Sequence, residues 1–303
     1  MSWQAGISLL VLVCAAYLAH RHWPAVAAGV ARLAGADRGW LLVAAVAAGA
    51  TWPASALAQQ GAVARQLPAA KLVAAQFAAC SANHLLPSGL GAGAVNLRFL
   101  TRCGLPLTRA ATALAVKAGA GTVARGCLIG GLALACPGVL RVPRPPTPGP
   151  AWTLAACAGT VVAAVVAALF LAGPLRRALR RVLLDVRAVH ERPARAAALW
   201  GGSLAFAALH CAVVIAVTQA VGLPLPPARV ALAFLAASSA AVLLPTPGGI
   251  GSLDAALAFA LTLAGAPGGA AASTVLGYRL LTAWLPLVPG LVTLGVLVRR
   301  RVL

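Results

Sequence analysis

The sequence predicts an all-α polytopic integral membrane protein: a helical bundle of two inverted repeats, each containing a re-entrant hairpin of broken helix. Three observations predict it. The 303 residues are 61% hydrophobic and only 9% charged, with a mean hydropathy of +0.93, whereas an average soluble domain carries about 25% charged residues. The apolar residues fall in long runs separated by short arginine-bearing links, and a run of about 20 such residues is what a helix needs to cross a bilayer. Finally, two stretches rich in proline and glycine sit inside apolar sequence: residues 85–93, L-L-P-S-G-L-G-A-G, and residues 243–254, L-L-P-T-P-G-G-I-G-S-L-D.

Neither stretch can be continuous helix. Proline removes a backbone donor and clashes with the preceding turn, and glycine takes positive φ at no steric cost. Open backbone in hydrocarbon leaves amides and carbonyls unpaired, so at membrane depth it is buried in protein or lines a wet cavity. The breaks are therefore the place to look for a site. They also look like copies of one another. Gly104-Leu105-Pro106 follows the first as Gly265-Ala266-Pro267 follows the second, and a cation then appears in an apolar helix, Lys117 in one copy and Arg279 in the other.

In chain order, residues 3–19 form a first span closed by His20, Arg21, His22 and Trp23, and 24–38 a surface segment. Residues 39–57 are a second span, with a kink expected at Thr51-Trp52-Pro53. Residues 72–86 are too short to cross, and with the return leg near 94–103 they make the first hairpin. A long span follows over 108–140, with Arg125 expected to pair with backbone or water between helices. The proline-rich loop 141–150 marks the midpoint. Residues 151–173 are a span, 174–195 a basic amphipathic segment suited to an anionic lipid surface, and 196–222 a span in which Gly201 and Gly202 lie in ordinary helix. Residues 230–244 and 253–265 form the second hairpin, and 270–298 is a last span kinked at Pro286 and Pro289. The chain is thus one transmembrane domain: 1–38, then a first repeat over 39–145 and a second over 151–303.

The formal charge of +20 sits in the links, as the positive-inside rule requires of cytoplasmic loops. Nucleic-acid binding would instead want cations on one soluble face with aromatics between them. Placing 174–195 and Arg299-Arg300-Arg301 in the cytoplasm puts both termini there, in a multi-pass protein of the cell membrane. The hairpins then enter from opposite sides. Seven scattered cysteines without a C-x-x-C pair read as small buried residues and not as metal ligands.

The run P-T-P-G-G-I-G-S-L-D, followed by G-A-P and then V-L-G-Y-R-L-L-T-A-W-L-P-L, resembles the signature of the lysylphosphatidylglycerol synthase transmembrane family, also called the flippase-like domain. The earlier N-H-L-L-P-S-G-L-G with Arg98 downstream is similar to that family's first-half motif. The resemblance runs from about Gly39 to the end. It places the family's break on Pro245, Pro247, Gly248, Gly249 and Gly251, answered in the first half by Pro87, Gly89 and Gly91. The family's usual glutamate falls on Asp254, one methylene shorter, and its Tyr-Arg pair on Tyr278 and Arg279. With no soluble synthase domain in these residues, the resemblance implies the translocating part alone.

An ionised side chain at a helix centre costs about 2.5–3.5 kcal/mol on insertion scales, so Asp254 and Arg279 are expected to pair. Two readings stay open: a structural ion pair that locks the second hairpin, or reception of an anionic headgroup by Arg279, Arg98 and Lys117, since the guanidinium fork suits phosphate. The break glycines either give room for a turn or turn amides toward an anion. His84 and Asn83 either line the cavity or cap a helix end. No nucleophile triad, zinc motif or phosphate loop appears, so the expectation is a non-enzyme without cofactor or metal. Its expected partner is an anionic phospholipid or a polyprenyl-phosphate-linked lipid, and not nucleic acid. The alternatives are a non-transporting membrane partner of a separate glycosyl- or aminoacyl-transferase, and a small-solute secondary transporter.

Overall fold

The computed structural model describes residues 31–85, 90–136, 187, 189–241 and 251–303. The expected spans at 3–19 and 151–173, the loop at 141–150 and most of the basic segment lie outside these residues, as do Pro87, Gly89, Pro245, Pro247, Gly248 and Gly249. Among the described residues there is no strand. The helices are α1 (Arg38–Ala62), α2 (Ala69–Leu85), α3 (Leu90–Arg102), α4 (Leu107–Ala135), α5 (Pro193–Ala220), α6 (Pro227–Ala241), α7 (Ser252–Leu263), α8 (Gly268–Arg279) and α9 (Leu285–Arg299), with a π-helical segment, Leu280–Trp284, joining the last two.

Among the described residues, four helical stretches are long and apolar enough to cross a membrane: α1, α4, α5 and the continuous run Gly268–Arg299. The protein is an all-α membrane bundle. Large apolar side chains face outward, Leu42 at 66% exposure and Leu134 at 84%, while Gln76, Asn96 and Arg279 are buried. Water as the outer solvent would favour the opposite arrangement; a hydrocarbon surround favours this one.

Helix α1 begins on Asp37, whose Oδ1 accepts from Trp40 N at 2.9 Å, the usual service of an N-cap carboxylate. It stays helical through Pro53, where a kink was expected. Its packing partner is α5, which runs antiparallel to it: Asp37 N donates to Ala220 O at 2.9 Å at one end, and Gly61 lies against the Leu199 backbone at the other. A Cβ at Gly61 would overlap Leu199, and one at Gly202 would overlap the backbone of Ala58. The two longest-packed helices therefore touch backbone to backbone, which small residues alone allow. This corrects the reading of Gly202 as a residue of ordinary helix; Gly201, with nothing within 4 Å, does fit it.

Helices α2 and α3 pack as one hairpin, α6 and α7 as another. At 1.5 Å per residue, their 17, 13, 15 and 12 residues reach about 18–26 Å, short of the roughly 30 Å hydrocarbon layer. Gly91 sits where α3 crosses α2 so closely that a Cβ would overlap Ala82. Both hairpins end in the same turn. Gly104 (φ +86°) and Gly265 (φ +105°) take the left-handed conformation, Leu105 N reaches back to Leu100 O and Ala266 N to Leu261 O, and Pro106 and Pro267 each cap the next helix. Glycine is needed at C′ because only it adopts that φ without strain.

The last span, expected to kink at Pro286 and Pro289, runs on as helix through both and takes a π turn just ahead of them. Pro286 lacks the N–H that would bond Thr282 O, so the turn before it widens to the π form over Leu280–Trp284. Cys80 Sγ lies 3.9 Å from that released carbonyl, and Ser81 Oγ donates to Pro286 O at 3.1 Å. These contacts hold α2 against the π turn. The apolar core is in two parts, one built on α6–α7 with α5 and α8, the other on α2–α3 with α4 and the end of α9.

Candidate functional site

Between the two cores lies a cavity of 320 Å³ whose walls come from both. The end of α2 supplies Asn83 and His84, the start of α7 Leu253, and α8 supplies Tyr278 and Arg279, so residues beside both breaks face one space. His84 stands within electrostatic reach of Arg279 and Asp254.

Asp254 occupies the third position of α7. Its Oδ2 accepts from Gly251 N at 2.9 Å, and Gly251 holds φ +89°, where any side chain would be strained. Its Oδ1 accepts from Arg279 Nε. The aspartate thus closes the pair even though it is one methylene shorter than glutamate, because capping its own helix start brings it to the arginine. A carboxylate on a helix N-terminus is stabilised by the backbone amides there. Arg279 is 5% exposed and lines the cavity.

Tyr278, on the adjacent position, is buried, and its Oη lies 3.1 Å from His210 Nδ1. The rings of Phe206, His210, Phe234 and Tyr278 pack together with centroids 4.7–6.1 Å apart. This cluster fixes α8 against α5 and α6 and gives the cavity an aromatic wall.

Lys117 enters from the first half. Its Nζ donates to Ser55 Oγ and Gln76 Oε1, both at 2.9 Å, and Gln76 Nε2 donates to Asn96 Oδ1 at 2.6 Å. One residue from each of α1, α2, α3 and α4 is joined in this network, and Lys117 is its only charge. Among the described residues it has no carboxylate partner.

Arg279, Tyr278 and Lys117 therefore share one cavity, with Asp254 behind Arg279. Arg98 does not join them: it is exposed on α3 and lies outside the cavity. Asn96 is the inward residue of that helix, and two positions turn about 200° around the axis. Gly91 and Gly251 act at the helix crossing and the helix start, and the remaining break residues lie outside the described set. Ser55, Gln76, Asn96 and His210 went unselected in the sequence. The available signal was each one's isolation as a polar residue in an apolar helix, since such residues face the bundle interior.

Asn83 Oδ1 and His84 Nδ1 are buried without a hydrogen-bond partner. Polar atoms left so inside a cavity mark room for water or a ligand. Both residues line the cavity, the first of the two open readings of this pair. Among the described residues no cluster of side chains suits a metal ion.

The family model described as "Lysylphosphatidylglycerol synthase TM region" matches residues 3–290 of the chain. No curated protein matches it.

Proposed function

The chain belongs to the lysylphosphatidylglycerol synthase transmembrane family, and from that premise we propose that it moves an anionic phospholipid, or a polyprenyl-phosphate-linked lipid, between the leaflets of the cell membrane. The observation that carries the reading is the cavity into which Lys117 and Arg279 project from opposite halves of the chain. Its 320 Å³ equals about ten waters at roughly 30 Å³ each, room for a headgroup but not for acyl chains. The headgroup passes through the bundle while the chains stay in hydrocarbon. On this reading the protein forms no covalent bond and needs no cofactor or metal, and a separate transferase makes the lipid.

Lys117→Gln tests it. Glutamine can still donate to Gln76 Oε1, so the fold is kept and the charge is lost. In proteoliposomes, translocation of fluorescent phosphatidylglycerol, read by external dithionite quenching, is expected to fall on the order of tenfold or more, the worth of one charge-assisted bond, while Lys117→Arg keeps part of it. Wild-type flux in Lys117→Gln would exclude the reading.

The proposal includes an orientation. The two halves are inverted repeats with both termini in the cytoplasm, a geometry in which broken helices meet around a transported solute. The antiparallel run of α1 and α5 supports it. In a background without native cysteines, a cysteine at Thr147 is expected to react with an impermeant maleimide on intact cells, and one at Ala188 only after permeabilisation. The opposite labelling would invert the topology.

A further inference from the structure

We propose that the compartment bounded by α1, α3, α4 and α5 is a second anion site, which binds the phosphate group of a membrane lipid between Arg125 and Lys117. Nothing in the translocation reading requires it: it needs lipid bound beside α4, not transfer between leaflets and not Arg279.

Lys117 and Arg125 are eight residues apart on α4, close to two full turns, which puts both on one face about 12 Å apart along the axis. Both line a cavity of 370 Å³ that shares Ser55, Asn96 and Lys117 with the first and reaches Ser203 on α5. Arg125, expected to pair with backbone or water between helices, has its Nε buried with no hydrogen-bond partner in the protein. Ser203 Oγ is likewise buried and unpartnered, on a residue 4% exposed. Lys117 Nζ gives two bonds, to Ser55 and Gln76, and an ammonium has three to give. Three groups with a hydrogen bond still to give, from two helices, thus line one space.

The charge is as incomplete as the hydrogen bonding. Among the described residues, Asp254 is engaged by Arg279 and Gly251, Asp37 caps α1, and Glu191 is exposed ahead of α5. Two cations near hydrocarbon with no carboxylate call for an anion from outside the chain. A guanidinium, an ammonium and a hydroxyl together suit the several oxygens of a phosphate.

The space is kept open by missing side chains. Gly93 and Gly121 both line it, and a Cβ at either would meet nothing within 4 Å. Its rim at Gly93, Ala118 and Thr122 is exposed beside Val123, itself 51% exposed on the spanning helix α4. An opening on that surface meets acyl chains, which is why the phosphate belongs to a lipid and not to free phosphate ion.

Native mass spectrometry in maltoside detergent, titrated with dioleoylphosphatidylglycerol, tests the site, with phosphate-free digalactosyldiacylglycerol and inorganic phosphate as separate arms. Arg125→Gln is expected to weaken phosphatidylglycerol retention on the order of tenfold, the worth of a charge-assisted bond. Gly121→Leu fills the compartment, touches no charge and is expected to do the same. Melting temperatures without lipid are expected to match wild type in both, which separates lost binding from lost folding. Wild-type affinity in either variant overturns the proposal, and competition by inorganic phosphate at equal concentration overturns the lipid assignment. If Asp254→Asn with Arg279→Gln loses the lipid while Arg125→Gln keeps it, this site falls and the translocation reading stands. The reverse pattern keeps this site and removes Arg279 from the path.

Discussion

Gly202→Leu is expected to remove most of the folded protein from the membrane, while Gly201→Leu leaves it at or slightly above wild type. The two positions are neighbours in one helix, so composition and depth are nearly constant between them. At Gly202 a Cβ would overlap the Ala58 and Ala54 backbones, and at Gly61 across the same interface it would overlap Leu199. Backbone cannot rotate away as a side chain can, so α1 and α5 must separate. Overpacking a core costs about 1–3 kcal/mol even where side chains can adjust, so about 3 kcal/mol or more is expected here. That is a large share of the roughly 5–15 kcal/mol of net stability of a protein. At Gly201 nothing lies within 4 Å, and leucine, ranked next after alanine, is the better helix former by somewhat less than the about 0.8–1 kcal/mol that separates glycine from alanine. Fluorescence-detected size exclusion and a melting curve in detergent would measure both. A Gly202→Leu protein that elutes and melts as wild type would mean that the helices are not in backbone contact.

That pair of glycines also marks the limit of what the sequence could tell. The membrane class, the four described spans and the shortness of both hairpins were legible, because each follows from the length of an apolar run. The matching of Gly104-Leu105-Pro106 with Gly265-Ala266-Pro267 was legible too, and the two turns share one conformation. Which glycine on a helix faces another helix was not legible, since Gly201 and Gly202 sit in equally apolar, equally small surroundings. The π turn was not legible either, since proline in the sequence announces a disturbed turn but not the form it takes. Proline acts on the carbonyl four residues before it, so the effect of Pro286 shows as a π turn over Leu280–Trp284.

The site was half legible. Asp254 and Arg279 could be matched because charges are rare in this chain, and the cost of burying either one alone makes a partner necessary. Lys117 and Arg125 could be found but not explained, as their surroundings are assembled from four helices. Arg98 was selected because its sequence neighbourhood resembles the first-half motif, while the helix places it outside the cavity that Asn96 lines. Periodicity separates the two residues only once the inward face of α3 is known.

The Asp254–Arg279 pair is where the two open readings give opposite results. Removing Asp254 takes the carboxylate from Arg279, which is only 5% exposed, and removing Arg279 leaves a part-buried carboxylate without its cation. A loss of up to about 3–5 kcal/mol is expected where the pair is most buried. Asp254→Asn and Arg279→Gln are therefore each expected to reduce folded protein strongly. Together they leave two neutral amides, and the asparagine oxygen can still accept from Gly251 N, so the double variant is expected to return close to wild-type membrane expression. On the translocation reading, flux is expected to stay lost, because the cavity then lacks one of the two cations proposed to meet the headgroup. Dithionite assays on proteoliposomes, normalised to folded protein, would decide. Recovery of expression and flux together would make the pair purely structural and would remove Arg279 from the site. Arg279→Lys sharpens the test: the charge stays and the planar fork goes. An ion pair that serves only α7 and α8 tolerates it, whereas a group that must hold Asp254 and phosphate oxygens at once loses flux while folding normally.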